Sequence, residues 1–151
     1  MQGIPNMTEF SLMNWDGADG HASFSPISPV TGRDAVKQFE LVREITHRYG
    51  FDYVGEFVIG WREIHHIVWM LYHRAQPEEM GRLRACFKEL IDAAAAAGYG
   101  EYRTHLAFMD QVKSTYSAFD NGLWDVNDRL KAELDPNGIL APGKSGIWPK
   151  K

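Results

Sequence analysis

Residues 53–72, YVGEFVIGWREIHHIVWMLY, decide the fold. Two runs rich in β-branched and aromatic residues, Tyr53–Ile59 and Ile64–Tyr72, flank a short connection around Gly60. Side chains of this kind suit a pleated, half-buried surface, and so short a connection lets the runs pair antiparallel. Within the second run, His65 and His66 are adjacent and point to opposite faces of a strand. They cannot chelate one ion without a bend, so one buried ring and one exposed ring are expected.

Working outward, each side of this hairpin carries a helix signal. Thr31, with Asp34 three residues on, makes an N-cap pair. The helix it opens runs to about Tyr49 with Phe39, Val42 and Ile45 on one stripe, and Gly50 supplies a left-handed stop. After the hairpin, Pro77 sits in a first turn with Glu78 and Glu79 at the positive end of the helix dipole. Met80, Leu83, Phe87, Leu90, Ile91 and Ala94 then recur at helical spacing as far as Gly98. His21–Ile27 alternates and suits a short strand closed by Pro26 and Pro29; Tyr102–Leu106 reads as another. The order strand–helix–strand–strand–helix–strand is a split βαβ arrangement, hence an α+β fold: an antiparallel sheet with helices on one face. Residues 1–20 read as an irregular lead-in. Short helices follow near Met109–Tyr116 and Leu123–Leu134, then a turn at Asp135-Pro136-Asn137-Gly138 and an extended, proline- and glycine-bearing tail. Residues 101–151 do not extend the split βαβ unit and read as a segment that packs against something else.

Composition narrows the function classes. The chain has 151 residues, 44% hydrophobic and 24% charged, which suits one soluble domain with its own core. Its longest apolar stretch, near Ile64–Leu71, contains two histidines and is too short for a bilayer. A net charge of −4 provides no broad basic field for nucleic acid. Cys86 is the single cysteine, so no internal disulfide can form; within a helical pattern beside Phe87 it reads as a small buried hydrophobe. The first residues lack a basic region followed by an apolar core, so no secretory signal is read and a cytoplasmic setting is expected. Aromatics make up 13% of the chain, including five tryptophans, which core packing explains; a flat aromatic ligand would use the same side chains.

Short chemical motifs are missing: there is no GxGxxG, P-loop, CxxC or HExxH. The informative stretch is residues 98–105, GYGEYRTH. Arginine carries a permanent charge on a rigid donor fork and, where partly buried, demands an anionic partner. With the Tyr102 hydroxyl beside it, Arg103 can hold a phenolate, a carboxylate or a phosphate. The alternative is a structural ion pair, with Glu101 as the partner.

GYGEYRTHLAFMDQ (98–111), LDPNGILAPGKSGIWP (134–149), HASFSP (21–26) and GEFVIGWREIHHIV (55–68) together resemble the vanillyl-alcohol oxidase and 4-cresol dehydrogenase family of FAD-dependent phenol oxidoreductases. The resemblance covers nearly the whole chain. It implies oxidation of para-substituted phenols of the vanillyl alcohol, eugenol or 4-alkylphenol type, with hydride passing from the benzylic or allylic carbon to flavin N5. His21 matches the histidine that the oxidase branch links covalently to the flavin. The cresol dehydrogenase branch uses a tyrosine at a position near Met13, so histidine at 21 and no tyrosine there favours the oxidase branch. Tyr102 and Arg103 match the pair that binds the phenolic oxygen, with Arg103 also close to the flavin. Adjacent residues on a regular strand diverge, so an irregular backbone is expected at that pair. Lys144 matches a position near the flavin; as a bare sequence feature it is equally an exposed loop lysine. Tyr53, Glu56 and Ile67 fall where the family lines its substrate pocket. The resemblance divides the chain into a cap-domain portion, 1–100, and a segment, 101–151, that completes the FAD domain and active site. It further implies an N-terminal FAD-binding portion not matched here, inactivity without it, and homo-oligomers when complete. A cytochrome-coupled hydroxylase subunit and a non-catalytic α+β ligand-binding module are the competing readings.

Overall fold

A ten-residue strand, β4 (Glu63–Tyr72), organises the molecule, because every other long strand pairs with it. The computed structural model describes residues 3, 6, 8, 11, 16–117 and 119–149; Met13 lies outside them. Preceding β4 in the chain are β1 (Gly20–Phe24), β2 (Pro26–Pro29), α1 (Gly32–Arg48) and β3 (Val54–Ile59). After it come α2 (Pro77–Ala96), β5 (Gly100–Glu101), α3 (Met109–Thr115) and α4 (Gly122–Leu134). The sheet is antiparallel throughout. One side of β4 pairs with β3; the other pairs with β1 and β2 in turn, and β5 continues outward from β2 alone.

The hairpin, the capped helix and the proline-initiated helix stand as the sequence indicates. Thr31 accepts a hydrogen bond from the Asp34 backbone N–H, and Gly50 follows the helix with φ 76°. Two strands differ from expectation. His21–Ile27 is interrupted at Ser25, although Phe24 opposite Val68 and Ile27 opposite His65 keep a single register with β4. Pro26 lacks the N–H that would have continued the ladder. The expected strand Tyr102–Leu106 is replaced by the two-residue β5, bends at Tyr102 and Arg103, and a 3-10 turn at Leu106–Phe108.

Strand alternation sorts the side chains. Ile64, His66, Val68 and Met70 face the helices and are buried, as Phe24 is from β1. Phe87 of α2 meets Phe24 edge-on at 5.7 Å and stacks on Phe108 at 4.5 Å, while Cys86 lies against Met70. Fully buried aromatics of this kind cost about 3–5 kcal/mol to truncate. The opposite face carries His21, Ser23, Ile27, Val54, Glu56, Val58, His65, Ile67, Trp69 and Leu71, with no helix of the α1–α2 pair over it.

The C-terminal region is more divided than its sequence suggests. Phe108, Met109 and Val112 enter the core, and Gln111 bonds the Lys88 carbonyl and Asp92 of α2, so α3 belongs to the α+β unit. In contrast, α4 contributes no buried residue and exposes Leu123, Val126, Leu130 and Leu134.

Candidate active site

The site grows from the place where β5 stops. Tyr102 still donates its backbone N–H to the Ser25 carbonyl at 3.0 Å, but the chain then bends away from β1. The bend removes the alternation that would separate neighbouring side chains. As a result the Arg103 guanidinium lies over the Tyr102 ring, 5.5 Å from its centroid. Tyr102 in turn meets His65 edge-on at 4.5 Å, which fixes it on the open face of the sheet. No acid pairs with Arg103 among the described residues, so the ion pair with Glu101 is not formed.

Because β5 does not run alongside β1, a cavity of about 470 Å3 opens there. Its walls are His21, Ala22 and Ser23 of β1, the α2 stripe Met80, Leu83, Arg84 and Phe87, and the segment Arg103–Phe108. Lys144 closes one side. Lys144 is delivered by a 3-10 turn, Lys144–Gly146, tied to α3: Lys113 donates to the Gly146 carbonyl at 2.9 Å, and the Ser145 N–H reaches the Met109 sulfur at 3.1 Å. Gly146 has φ 72°, and a Cβ there would come within 2.7 Å of the Lys113 side chain, so only glycine allows this approach. Its lining includes five basic side chains, His21, Arg84, Arg103, His105 and Lys144, and no Asp or Glu. With Tyr72, Phe87 and Phe108 adding aromatic wall, the cavity suits a flat aromatic group that gathers negative charge.

Arg103, Thr104 and Lys144 also border a second cavity, about 290 Å3, whose other walls include Glu101, Tyr102, Lys113, Tyr116 and Trp124. Glu101 is 5% exposed, and neither carboxyl oxygen has a hydrogen-bond partner. Burial pushes this carboxyl up to about 8; Thr104 and the Ser25 backbone lie close enough to oppose the shift only in part. Tyr116 is raised too, first by burial and then by Glu101, whose carbonyl accepts its hydroxyl at 2.9 Å.

Of the residues named from sequence, His21, Arg103 and Lys144 share the larger cavity, and Arg103 and Tyr102 are in contact. Glu56 and Ile67 are register partners on the open face of the sheet, the face that also carries His21 and Tyr102. Tyr53 is not among them. Its hydroxyl bonds His66 Nε2 at 2.8 Å and its ring packs on Phe39 of α1, which puts it under the helices on the far side of the sheet. His66 is fully buried, with Phe57 stacked on it at 4.2 Å, and desolvation lowers its pKa to about 4. His65 stays partly exposed, as alternation requires. Glu101 is named from sequence only as an ion-pair partner for Arg103, and the cavity-facing Arg84 and His105 are not singled out from it at all. For Arg84 a signal existed: it sits among Met80, Leu83 and Phe87 on the very stripe that reads as core.

These features define a sheet-and-helix module with a basic, aromatic-walled cavity. The family model for FAD linked oxidases, C-terminal domain, matches residues 6–145, and the chain belongs to that family. It is 42% identical, over 97% of its length, to the 4-cresol dehydrogenase [hydroxylating] flavoprotein subunit of Pseudomonas putida, of which it spans 28%. It is 34% identical over 83% of its length to 1'-carboxy-chondrochloren decarboxylase of Chondromyces crocatus, spanning 23% of that protein. Among solved structures, 4-ethylphenol oxidase from Gulosibacter chungangensis in its isoeugenol complex superposes with a TM-score of 0.91 at 43% identity, over 98% of this chain and 28% of that one. A substrate-bound p-cresol methylhydroxylase gives 0.89 at 41%, again over 98% of this chain and 28% of that one. The chain therefore spans only about a quarter of the length of these relatives.

Proposed function

We propose that the chain supplies the substrate-covering and flavin-contacting part of an FAD-dependent oxidoreductase that acts on para-substituted phenols. The observation that carries this reading is the meeting of His21, Arg103 and Lys144, from three distant parts of the sequence, around one acid-free cavity. Residues 1–100 form the cap portion, on which α3 also packs, and the remainder of 101–151 completes the flavin domain. The apolar stripe of α4 and the exposed Ile139 and Leu140 support this division, since they have no cover within the described residues.

FAD fits the residues present: an aromatic-walled cavity of about 470 Å3 bounded by a histidine, an arginine and a lysine. His21 would tether the ring system, while Arg103 and Lys144 would face the part of it that becomes electron-rich. When bound, the flavin supplies the two-electron acceptor for hydride from the carbon attached para to the phenolic oxygen.

The remaining work falls to the chain itself. Tyr102 and Arg103 receive the phenolic oxygen and favour its anion, since a fixed cation and a hydroxyl donor lower the cost of ionising a phenol whose ordinary pKa is about 10. Ionisation pushes electron density toward the para carbon and weakens its benzylic or allylic C–H bond. Glu56 and Ile67 border neither cavity; side by side on the open face, they would flank the para substituent. No helix among the described residues is long and apolar enough to cross a membrane. The same reading makes the complete protein a cytoplasmic homo-oligomer.

The test is turnover of a 4-alkylphenol by the flavin-loaded protein that carries this chain. Arg103→Ala should lower turnover by about a hundredfold or more, because a charge contact to the developing anion is lost. A change of less than about threefold would remove Arg103 from the mechanism.

A further inference from the structure

Glu101 combines three features that the reaction as described does not use. It is two residues from Arg103, it borders the same 290 Å3 cavity, and it is 95% buried with both oxygens unpaired. On a regular strand, residues two apart point the same way, so a continued β5 would have set Glu101 beside Arg103 in an ion pair. The bends at Tyr102 and Arg103 prevent that. They carry Arg103 over the Tyr102 ring and leave Glu101 behind.

We propose that Glu101 is a positioning residue for Arg103: its carboxyl, folded behind the bend and denied an ion pair, leaves the guanidinium unneutralised for the anionic oxygen of a phenolic ligand. This rests on the reading that Arg103 grips the phenolate. A neutral carboxyl carries no charge to compete for the guanidinium, and burial keeps this one neutral up to about pH 8. Once ionised, a buried carboxylate is costly; Thr104 and the Ser25 backbone oppose that cost only in part, and a cation is the stronger remedy. The groups facing it across the cavity are Lys113 and Tyr116 of α3, Lys144 of the tail turn, and Tyr102 and Arg103 of its own segment. Lys113 is already committed to the Gly146 carbonyl and stands 3.8 Å from Asp128. Tyr116 titrates above its ordinary range and offers no positive charge. Arg103 and Lys144 both lack an acid partner among the described residues, and Arg103, two residues along the same segment, is the one the bend holds next to Glu101 in the chain. Ionisation of Glu101 therefore withdraws Arg103 from the ligand.

The experiment measures binding of pentafluorophenolate, which stays anionic throughout, to the flavin-loaded protein between about pH 7 and pH 10. Wild type should weaken about tenfold as pH rises through 8, the worth of one charge-assisted contact. Glu101→Gln should bind with constant affinity across the range, at the neutral-pH strength of wild type. If Glu101→Gln keeps the alkaline weakening, or wild type shows none, while Arg103→Ala still binds poorly at every pH, the role of Glu101 is overturned and the phenolate grip stands. If Arg103→Ala binds as wild type does, the grip itself fails and this proposal goes with it. Should Glu101→Gln not load flavin, difference infrared spectra of wild type decide: a protonated-carboxyl C=O band must be lost on raising the pH through 8, and its absence at neutral pH overturns the proposal.

Discussion

Replacing Gly100 with alanine tests the packing that holds the bend. A Cβ built on Gly100 would lie 2.2 Å from the Tyr116 hydroxyl oxygen and 2.6 Å from Cζ of the same ring, well inside contact distance. Tyr116 has little room to retreat. Its ring packs against the core, its hydroxyl donates to the Glu101 carbonyl at 2.9 Å, and its own carbonyl accepts from Trp124 Nε1 at 2.7 Å. The extra methyl must therefore displace the ring and break the bond to Glu101. Leaving a half-buried acceptor unpaired costs about 1–3 kcal/mol, and overpacking a well-filled site costs about 1–3 kcal/mol more. Adding the two gives a destabilisation of roughly 4 kcal/mol, a fall of about 8–16 °C in thermal midpoint for a domain of this size. In a Tyr116→Ala background the same substitution should cost less than about 0.5 kcal/mol, because the clash and the bond are already gone. Thermal unfolding of the four proteins in the cycle measures the difference. An equal cost in both backgrounds would refute the account of why position 100 is glycine.

Three further outcomes are expected. His21→Ala should abolish flavin fluorescence retained on the denatured polypeptide, while a variant that keeps it removes His21 from the linkage. His66, lowered from 6.5 to about 4 by burial, stabilises the fold above the unfolded value and loses that contribution as pH falls from 6.5 to 4. The loss is roughly 3 kcal/mol at most, and acid titrations of stability should be flatter over that span in His66→Gln. Glu101 acts with the opposite sign: raised from 4.5 to about 8, its contribution is complete below 4.5 and fades as pH climbs through 8. Alkaline denaturation should accordingly set in later for Glu101→Gln, by up to roughly 5 kcal/mol where water does not reach the carboxyl.

The elements that sequence indicated well are those whose signals are local. Thr31 with Asp34, Pro77 with its acids, and the two β-branched runs around Gly60 each state their structure within a few residues, and each is present. Longer-range events decided the rest. A strand at Tyr102–Leu106 is reasonable by composition, yet its would-be partner β1 is engaged by β4 on one edge, and the chain turns aside from the other. Tyr53 precedes β3 by one residue, and its side chain goes to His66 beneath Phe39, a destination set by the helix layer. At the site, resemblance named His21, Tyr102, Arg103 and Lys144, but only tertiary packing discloses that a lone acid is buried beside them. Nothing in GEYRTH tells Glu101 as Arg103's ion-pair partner from Glu101 as a stranded neutral group; the bend makes that distinction.

The brevity of β5 has a last consequence. Had it run a few residues further it would have zipped along β1, hydrogen-bonding edge to edge, and the sheet would have been sealed where the larger cavity now lies. The vacancy exists because pairing is cut off early. Insertions or substitutions that lengthen this short strand should thus make the module sturdier while filling the hollow from within, trading capacity for rigidity.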